Sequence, residues 1–389
     1  MSWNQRIHQA LEQRNEQHLL RRRVSLDSPQ QAEVEIDGQR LINFCSNDYL
    51  GLACEGGDAL AKAASKWNLG SGASHLVCGH SSAHHGLEQA LADYTGYPRA
   101  LLFSSGFMAN VGTISALAQR GDLIFQDKLN HASLLDGAQL SRAKLLRYRH
   151  CDYAQLDDML ANASDDSSEK LIVSDSIFSM DGDLADVAQL ANIAEKHQSL
   201  LMIDDAHGLG ILGAKENNQG NGVRDHFGLS HQQLPVYVGT LGKALGGYGA
   251  FVAGSEELID YLVQFARPYI YTTALPPALA EAMLFNLELM KQPERRNTLN
   301  QHIEYFRQQA EKQALPLMPS ESAIQPLLIG DADKAMTISE QLKQRGLWVS
   351  AIRPPTVPAG SARLRITLTA GHSREQIDLL LKALAEVMQ

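Results

Sequence analysis

Residues 200–208 read Leu200-Leu-Met-Ile-Asp204-Asp205-Ala-His207-Gly208, an unbroken apolar run that ends in two acids and a histidine. Such a run is typical of a strand buried on both faces of a parallel sheet. In doubly wound sheets, ligands bind at the carboxyl edge of the strands. A carboxylate there would pair with a cationic group, because an unpaired buried acid is costly or loses its charge. A helix N-cap or a pair of metal ligands is the alternative interpretation of the two acids.

Similar apolar runs recur between Glu88 and Ser255 and alternate with amphipathic stretches. They are Ala100–Phe103, Leu171–Val173, Val236–Val238 and Ala250–Ala253. This alternation predicts an α/β fold with a mostly parallel sheet covered by helices.

The segments before and after this alternating region have other sequence patterns. From Ser2 an amphipathic pattern predicts a helix, and Asp37-Gly38 predicts a tight hairpin turn between strands over 33–36 and 41–44. Beyond Pro276-Pro277 the sequence predicts a smaller α+β domain. Its expected helices and strands are 278–290, 301–313, 324–329, 348–352 and 364–368. We therefore expect an N-terminal segment over 1–45, a large domain over 46–285 and a small C-terminal domain over 286–389.

Composition excludes several classes of function. The net charge of −10 disfavours general nucleic-acid binding, and no apolar run approaches the roughly 20 residues that cross a bilayer. The four cysteines have irregular spacings without a Cys-x-x-Cys pair, and the N-terminus lacks the pattern of a secretory leader. We expect a cytoplasmic enzyme that does not associate with nucleic acid or membranes.

A single lysine lies in the glycine-rich segment Val238-Gly-Thr240-Leu-Gly-Lys243-Ala-Leu-Gly-Gly-Tyr-Gly249, directly after a predicted strand. Glycines let the backbone approach a ligand closely. Burial of the lysine would lower its pKa and free its amine to condense with an aldehyde, and Thr240 could contact a phosphate. The alternative is a phosphate contact in which Lys243 is only a point charge, although the P-loop pattern is absent.

Three other segments follow predicted strands. Phe103-Ser-Ser-Gly106-Phe107-Met-Ala-Asn110 opens a helix whose free amides could hold an anion. Asn130-His131-Ala-Ser133 and Ser176-Ile-Phe-Ser179 carry an imidazole that could stack on a ring and a hydroxyl that could bind a phenolic oxygen. Each segment taken alone is compatible with an ordinary capped helix or a polar loop.

In their order along the chain, these motifs resemble those of the fold-type I pyridoxal phosphate (PLP) enzymes. More narrowly, the chain resembles the α-oxoamine synthases over essentially its whole length. The segments that carry this resemblance are Ser46-Asn-Asp-Tyr-Leu-Gly51, His131, Phe178-Ser-Met-Asp-Gly182, Asp204-Asp-Ala-His207-Gly208, Thr240-Leu-Gly-Lys243 and Pro355-Thr-Val-Pro358. The resemblance implies a large domain with a mostly parallel seven-stranded sheet, a small C-terminal α+β domain, and pyridoxal 5′-phosphate as the cofactor.

The resemblance also assigns roles to single residues. Lys243 would carry the cofactor as a Schiff base, Asp204 would pair with its pyridine nitrogen, and His131 would stack on its ring and protonate the substrate. His207 and Ser179 would contact the phenolic oxygen. The phosphate would be held by Gly106, Phe107 and Thr240, and by Thr272 or Thr273 of the second subunit of a homodimer. No metal site is implied.

For substrates, the resemblance places Asn47 and Arg365 near an amino-acid carboxylate, and Arg21 and Thr356 near an acyl chain. Strand alternation puts Arg363 and Arg365 on the same face, so the choice between them rests on the resemblance. Arg21 belongs to the run Arg21–Arg23, which could equally be a solvated helix terminus.

The activity implied is a decarboxylative condensation of L-alanine with a pimeloyl thioester of coenzyme A or an acyl carrier protein, as in biotin biosynthesis. Family members that use glycine with another acyl thioester, such as 2-amino-3-ketobutyrate ligase and 5-aminolevulinate synthase, are alternatives. An aminotransferase of the same fold and a catalytically silent PLP-binding protein are others. The chain departs from the family pattern at Ala73, where glycine is usual, and at Cys151, where asparagine is common.

Overall fold

The computed structural model describes residues 1–16, 19–21, 23–163, 168–214 and 218–388. The strands are β1 (Glu33–Ile36), β2 (Gln39–Asn43), β3 (Arg99–Phe103), β4 (Leu123–Asp127), β5 (Lys144–Tyr148), β6 (Lys170–Asp175), β7 (Leu200–Asp204), β8 (Val236–Thr240), β9 (Ala250–Gly254), β10 (Ile324–Gly330), β11 (Leu347–Trp348), β12 (Ser350–Ile352) and β13 (Ala362–Thr367).

The helices are α1 (Trp3–Glu16), α2 (Gly57–Trp67), α3 (Ser82–Thr95), α4 (Gly106–Leu117), α5 (Ala132–Ser141), α6 (Tyr153–Ala161), α7 (Val187–Lys196), α8 (Val223–His226), α9 (Glu256–Phe265), α10 (Arg267–Ile270), α11 (Pro277–Lys291), α12 (Pro293–Lys312), α13 (Ala332–Gln344) and α14 (Arg374–Val387), together with a π-helical turn at His75–Gly79.

A seven-stranded sheet in the order β3-β9-β8-β7-β6-β4-β5 forms the centre of the molecule. Only β9 runs antiparallel to its neighbours, so the other six strands point the same way. Apolar side chains cover both faces of the sheet, and the inner strands are buried almost throughout. The predicted fold class is confirmed, because the continuous apolar runs are strands that helices cover on both sides.

The predicted hairpin is present, with Asp37 and Gly38 at positive φ angles of 52° and 74° between β1 and β2. The prediction of a single strand over 348–352 is wrong. Its residues form two short strands, because β11 pairs with β2 whereas β12 pairs with β13. Val349 is fully buried between them, where the chain passes from one sheet to the other.

The helix predicted from Ser2 is α1, and its apolar side chains are exposed: Trp3 is 75% exposed, Ile7 55% and Leu11 53%. The expected boundary between residues 285 and 286 falls inside α11, and the domain limits stay a prediction. No helix in the described part of the chain combines the length and apolar character needed to cross a membrane.

Candidate active site

Parallel strands bring the predicted segments together at one edge of the sheet. The loops after β3, β4, β6, β7 and β8 all leave the carboxyl ends of strands that point the same way. They surround a cavity of about 410 Å³. Ten of the residues predicted from the sequence line it: Asn47, Gly106, Phe107, His131, Ser179, Asp204, His207, Thr240, Lys243 and Arg365.

Asp204 ends β7 at the cavity and is 5% exposed. Its carboxylate accepts hydrogen bonds from Ala206 N at 2.9 Å and from Asn110 Nδ2 at 2.6 Å. Among the described lysine, arginine and histidine side chains, none forms an ion pair with Asp204. A buried carboxylate that faces a cavity and has no ion-pair partner among the described side chains fits a cationic ring nitrogen from a ligand.

The neighbouring Asp205 has a different environment. It is fully buried and accepts hydrogen bonds from Ser176 Oγ at 2.5 Å, Tyr237 Oη at 2.7 Å and Val223 N at 2.8 Å. Burial raises its pKa to about 7, although these bonds oppose the shift. Asp205 therefore ties β7 to β6, β8 and α8, and only Asp204 faces the cavity.

Lys243 lies beside His207, with 2.9 Å between Nζ and Nε2. Burial lowers the pKa of the lysine to about 8, and the nearby acids only partly oppose this. Roughly a tenth of the amine is therefore uncharged at pH 7, far more than for a lysine of ordinary pKa. This is the state that condenses with an aldehyde and that accepts a proton from carbon.

His131 is the N-cap of α5, and its side chain accepts from Ser133 N. Its own amide donates to Asp175 Oδ2 at 2.7 Å, which fastens the loop after β4 to the end of β6. Burial lowers the pKa of the imidazole, although Asp204 opposes the shift. Nδ1 also lies 2.7 Å from Ser133 Oγ, which accepts from Asn110 Nδ2 at 2.9 Å and so has its own hydrogen free to donate to the ring. With both groups of Ser133 donating to Nδ1, the neutral ring carries its proton on Nε2 and can donate it.

The start of α4 fits a phosphate. Ser105 caps this helix by accepting from Met108 N, and within the described structure the amides of Gly106 and Phe107 have no acceptor. A Cβ placed on Gly106 would meet only Thr240 Oγ1, at 3.9 Å, so the space beside these amides is open. Free amides at a helix N-terminus favour an anion.

The structure distinguishes the two arginines of β13. Arg363 donates to Asp181 Oδ1 at 2.5 Å and is neutralised by it. Arg365 donates to Ser179 O at 2.6 Å and to Asn47 Oδ1 at 3.0 Å, and forms no ion pair with any described carboxylate. It lines the cavity, so it is the arginine that can bind the carboxylate of a substrate.

We predict that Arg365→Lys raises the KM for the amino-acid substrate roughly 10- to 100-fold, because one charged hydrogen bond contributes about 1.5–3 kcal/mol. Steady-state kinetics with varied amino acid measure the change. Arg363→Lys is the matched control and should leave this KM almost unchanged. A similar rise in both variants would contradict the assignment.

Four predicted residues lie outside the main cavity. Arg21 and Thr356 line a cavity of about 180 Å³ that also contains Ile352, a residue of the main cavity. Thr272 and Thr273 do not line the cavity of their own chain, and Thr273 forms an isolated bridge with Ser74. Of the arginine run, Arg22 lies outside the described residues.

A third cavity, of about 620 Å³, adjoins the main one. The two share His131, Ser179 and Met180, and Thr356 lines the third cavity as well as the smallest one. Space therefore continues from the carboxyl edge of the sheet toward the segment 355–358. A chain-like substrate could occupy it.

Sequence reasoning gave no role to three site residues. Asn110 binds Asp204, Asp175 binds the amide of His131, and Tyr49 binds the ring of His207 at 2.5 Å. Asn110 and Tyr49 lie within motifs that were recognised, and Asp175 ends an identified strand. That position at the end of a strand was the only available signal.

The two departures from the family pattern lie in loops. Cys151 adopts a positive φ of 51°, a conformation that asparagine tolerates better, and its amide donates to Asp127 Oδ2 at 2.7 Å. The Ala73 carbonyl accepts from Ala274 N at 2.9 Å. Their effect on catalysis stays an open prediction.

Comparisons with known proteins agree with this geometry. Residues 39–384 match the family "Aminotransferase class I and II". The chain has the fold of a serine palmitoyltransferase from S. paucimobilis solved with bound PLP, with a TM-score of 0.91, 28% identity and coverage of 98% and 96% of the two chains. Fold and site together define a PLP-dependent enzyme.

Closer relatives narrow the family. The chain is 56% identical over 366 residues to the 8-amino-7-oxononanoate synthase of Methylococcus capsulatus, covering 93% of each. It is 57% identical over 379 residues to that of Pseudomonas putida KT2440, covering 97% of this chain and 95% of the relative. The crystal structure of the Francisella tularensis synthase matches with a TM-score of 0.77 and 34% identity over 90% of this chain and 98% of that one. The chain belongs to the 8-amino-7-oxononanoate synthase family.

Proposed function

We propose that the chain condenses L-alanine with a pimeloyl thioester and releases carbon dioxide and the free thiol, giving 8-amino-7-oxononanoate for biotin biosynthesis. The observation that carries the proposal is the buried Asp204 carboxylate, which forms no ion pair with any side chain that the structure describes and shares a cavity with the Lys243 amine. The names of the relatives support the same reaction.

When bound, pyridoxal phosphate supplies an electron-withdrawing ring that takes up the negative charge developing on the α-carbon of the amino acid. Asp204 would hold positive charge on the ring nitrogen, because this carboxylate is buried at the cavity and forms no ion pair with a described side chain. Gly106, Phe107 and Thr240 would hold the phosphate. His207 and Ser179 would contact the phenolic oxygen, and His131 would stack on the ring.

The reacting groups of the chain would act in order. Arg365 and Asn47 would bind the carboxylate of alanine, and the Lys243 amine would remove the α-proton. The Nε2–H of His131 would then donate to the thioester oxygen as negative charge develops there. Arg21 and Thr356 would contact the acyl chain along the adjoining cavities.

Product identification by mass spectrometry tests the proposal. Incubation of the holoenzyme with L-alanine and pimeloyl thioester should yield the amino ketone with one equivalent of carbon dioxide. Coenzyme A and acyl carrier protein thioesters should be compared, since the carrier is undetermined. Faster turnover of glycine with acetyl or succinyl thioester would overturn the substrate assignment. Release of a keto acid without carbon dioxide would indicate an aminotransferase.

The proposal includes a cytoplasmic homodimer in which Thr272 or Thr273 reaches the phosphate of the neighbouring subunit. Two observations support the dimer: both threonines lie outside their own cavity, and the adjacent Tyr271 is 71% exposed. Tyrosine is enriched at protein interfaces, because its ring packs against the partner while its hydroxyl keeps a hydrogen bond.

Mixing of two inactive subunits tests directly whether the threonines reach the active site of the neighbouring subunit. A Lys243→Ala subunit and a subunit in which both threonines are alanine should each be nearly inactive as homodimers. We predict that mixed dimers regain activity, because the intact lysine and the intact threonines then meet in one site. If mixing restores nothing, while exchange of subunits is shown by mass, the threonines act within their own chain or not at all.

A further inference from the structure

Two groups of the chain hold the ring of His207, one on each nitrogen. Nδ1 lies 2.5 Å from Tyr49 Oη, and Nε2 lies 2.9 Å from Lys243 Nζ. Tyr49 is only 1% exposed and does not line the cavity, whereas His207 and Lys243 do. Tyr49 therefore lies behind His207, away from any bound ligand.

The position of the phenolic hydrogen follows from two distances. Tyr49 Oη has His207 Nδ1 at 2.5 Å and Asn47 Oδ1 at 3.3 Å as possible acceptors. The second distance is long for a hydroxyl bond, and Asn47 Oδ1 already accepts from Arg365 at 3.0 Å. Tyr49 therefore donates to Nδ1. A neutral imidazole that accepts at Nδ1 carries its proton on Nε2.

The tautomer of His207 determines whether Lys243 Nζ donates or accepts in the hydrogen bond between the two side chains. An Nε2–H group donates, so the amine must accept with its lone pair, which only the uncharged amine possesses. We infer that Tyr49 is a positioning residue that holds His207 as the Nε2–H tautomer, so that His207 donates to Lys243 and favours the uncharged form of its amine.

The charged groups around Lys243 include more acids than bases, so on balance they do not favour the uncharged amine. This effect depends on the hydrogen bond from His207. Burial lowers the pKa of Lys243 to about 8. Around it, the acids favour the charged amine and an arginine disfavours it; these groups are Asp204, Asp175, Asp205 and Arg365. His207 is itself held neutral, because its pKa is lowered by burial and then by Lys243, Arg365 and His131. Within the described structure, the only hydrogen-bond partner of the amine is His207.

The tautomer can be measured without cofactor or substrate. Nitrogen NMR of apoprotein labelled in histidine should show the proton of His207 on Nε2, with the signals assigned by their loss in His207→Gln. In Tyr49→Phe the proton should move wholly or partly to Nδ1. A wild-type ring protonated on Nδ1 would overturn the inference, whatever the variant does.

The amine provides a second readout. The rate at which pyridoxal phosphate becomes attached to Lys243 and reducible by borohydride should rise with pH around 8 in the wild type. In Tyr49→Phe the midpoint should rise by about one unit, which slows attachment about tenfold near pH 7.5 and is corrected by raising the pH. An unchanged midpoint would overturn the inference.

Tyr97→Phe is the matched control. It also removes a buried phenolic hydroxyl, one that donates to Leu234 O at 2.8 Å and belongs to a residue that does not line the cavity, and it should change neither readout. The inference rests on the proposed role of Lys243. If pyridoxal phosphate never attaches to Lys243 in the wild type, the proposed function fails. If it attaches with the same pH dependence in both proteins, only the role of Tyr49 fails.

Discussion

Lys243→Ala is expected to lower turnover by at least about 10⁴-fold, because the variant loses both the covalent attachment point and the proposed general base. The amine is buried, and its only hydrogen-bond partner in the described structure is His207. Because the folded state disfavours the charge of this amine, its removal should not lower the free energy of unfolding of the apoprotein. Steady-state turnover and urea unfolding measure the two effects.

Lys196→Ala provides the control for this experiment. This lysine is exposed, pairs with Asp157 on the surface, and should be dispensable. Borohydride reduction of the wild type should attach the cofactor to the peptide that contains Lys243 and to no other. Retained turnover in Lys243→Ala, or attachment at another lysine, would refute the assignment of Lys243. Cofactor attachment without turnover in the wild type would favour a catalytically silent binding protein.

Asp204→Asn and Asp205→Asn are expected to fail in different ways although the two residues are adjacent. Asp204→Asn removes the charge that faces the cavity, and turnover should fall about 10²- to 10³-fold with little loss of stability. Asp205→Asn places an amide among three donors, from Ser176, Tyr237 and Val223. The free energy of unfolding should fall by about 2–3 kcal/mol.

The Asp204→Asn and Asp205→Asn variants should also differ in how their free energy of unfolding depends on pH. The pKa of Asp205 is raised from 3.8 to about 7, so the neutral carboxyl is favoured by the folded state. Its contribution to stability is full below the unfolded pKa and declines as pH rises toward 7. Asp205→Asn should reduce the wild-type decline between about pH 4 and 7, because it removes one of the buried acids whose pKa is raised. Asp204→Asn should keep the contribution of Asp205, because burial, and not the charge of Asp204, is the main cause of the raised pKa of Asp205. Urea unfolding across that range measures both. Equal losses of stability in the two variants would contradict the separation.

The sequence by itself determined the class of fold and the edge at which the chemistry lies. The apolar runs lack the alternation of a sheet with one exposed face, so they predict parallel strands that are buried on both faces. In such a sheet, the carboxyl ends of the strands meet at one edge. The sequence alone therefore predicts that the polar residues after each run, such as Asp204 and Lys243, lie together. This inference is local, because each strand and its following loop are contiguous in the chain.

Only the tertiary structure decided which side chains act on one another across that edge. Alternation puts Arg363 and Arg365 on one face, and only the position of Asp181 shows which of them is already neutralised. Tyr49 and His207 are 158 residues apart, so no periodicity relates them. The strand expected over 348–352 divides because its two halves find different partner strands. Pairings between distant segments depend on packing in three dimensions, which the pattern of one segment does not encode.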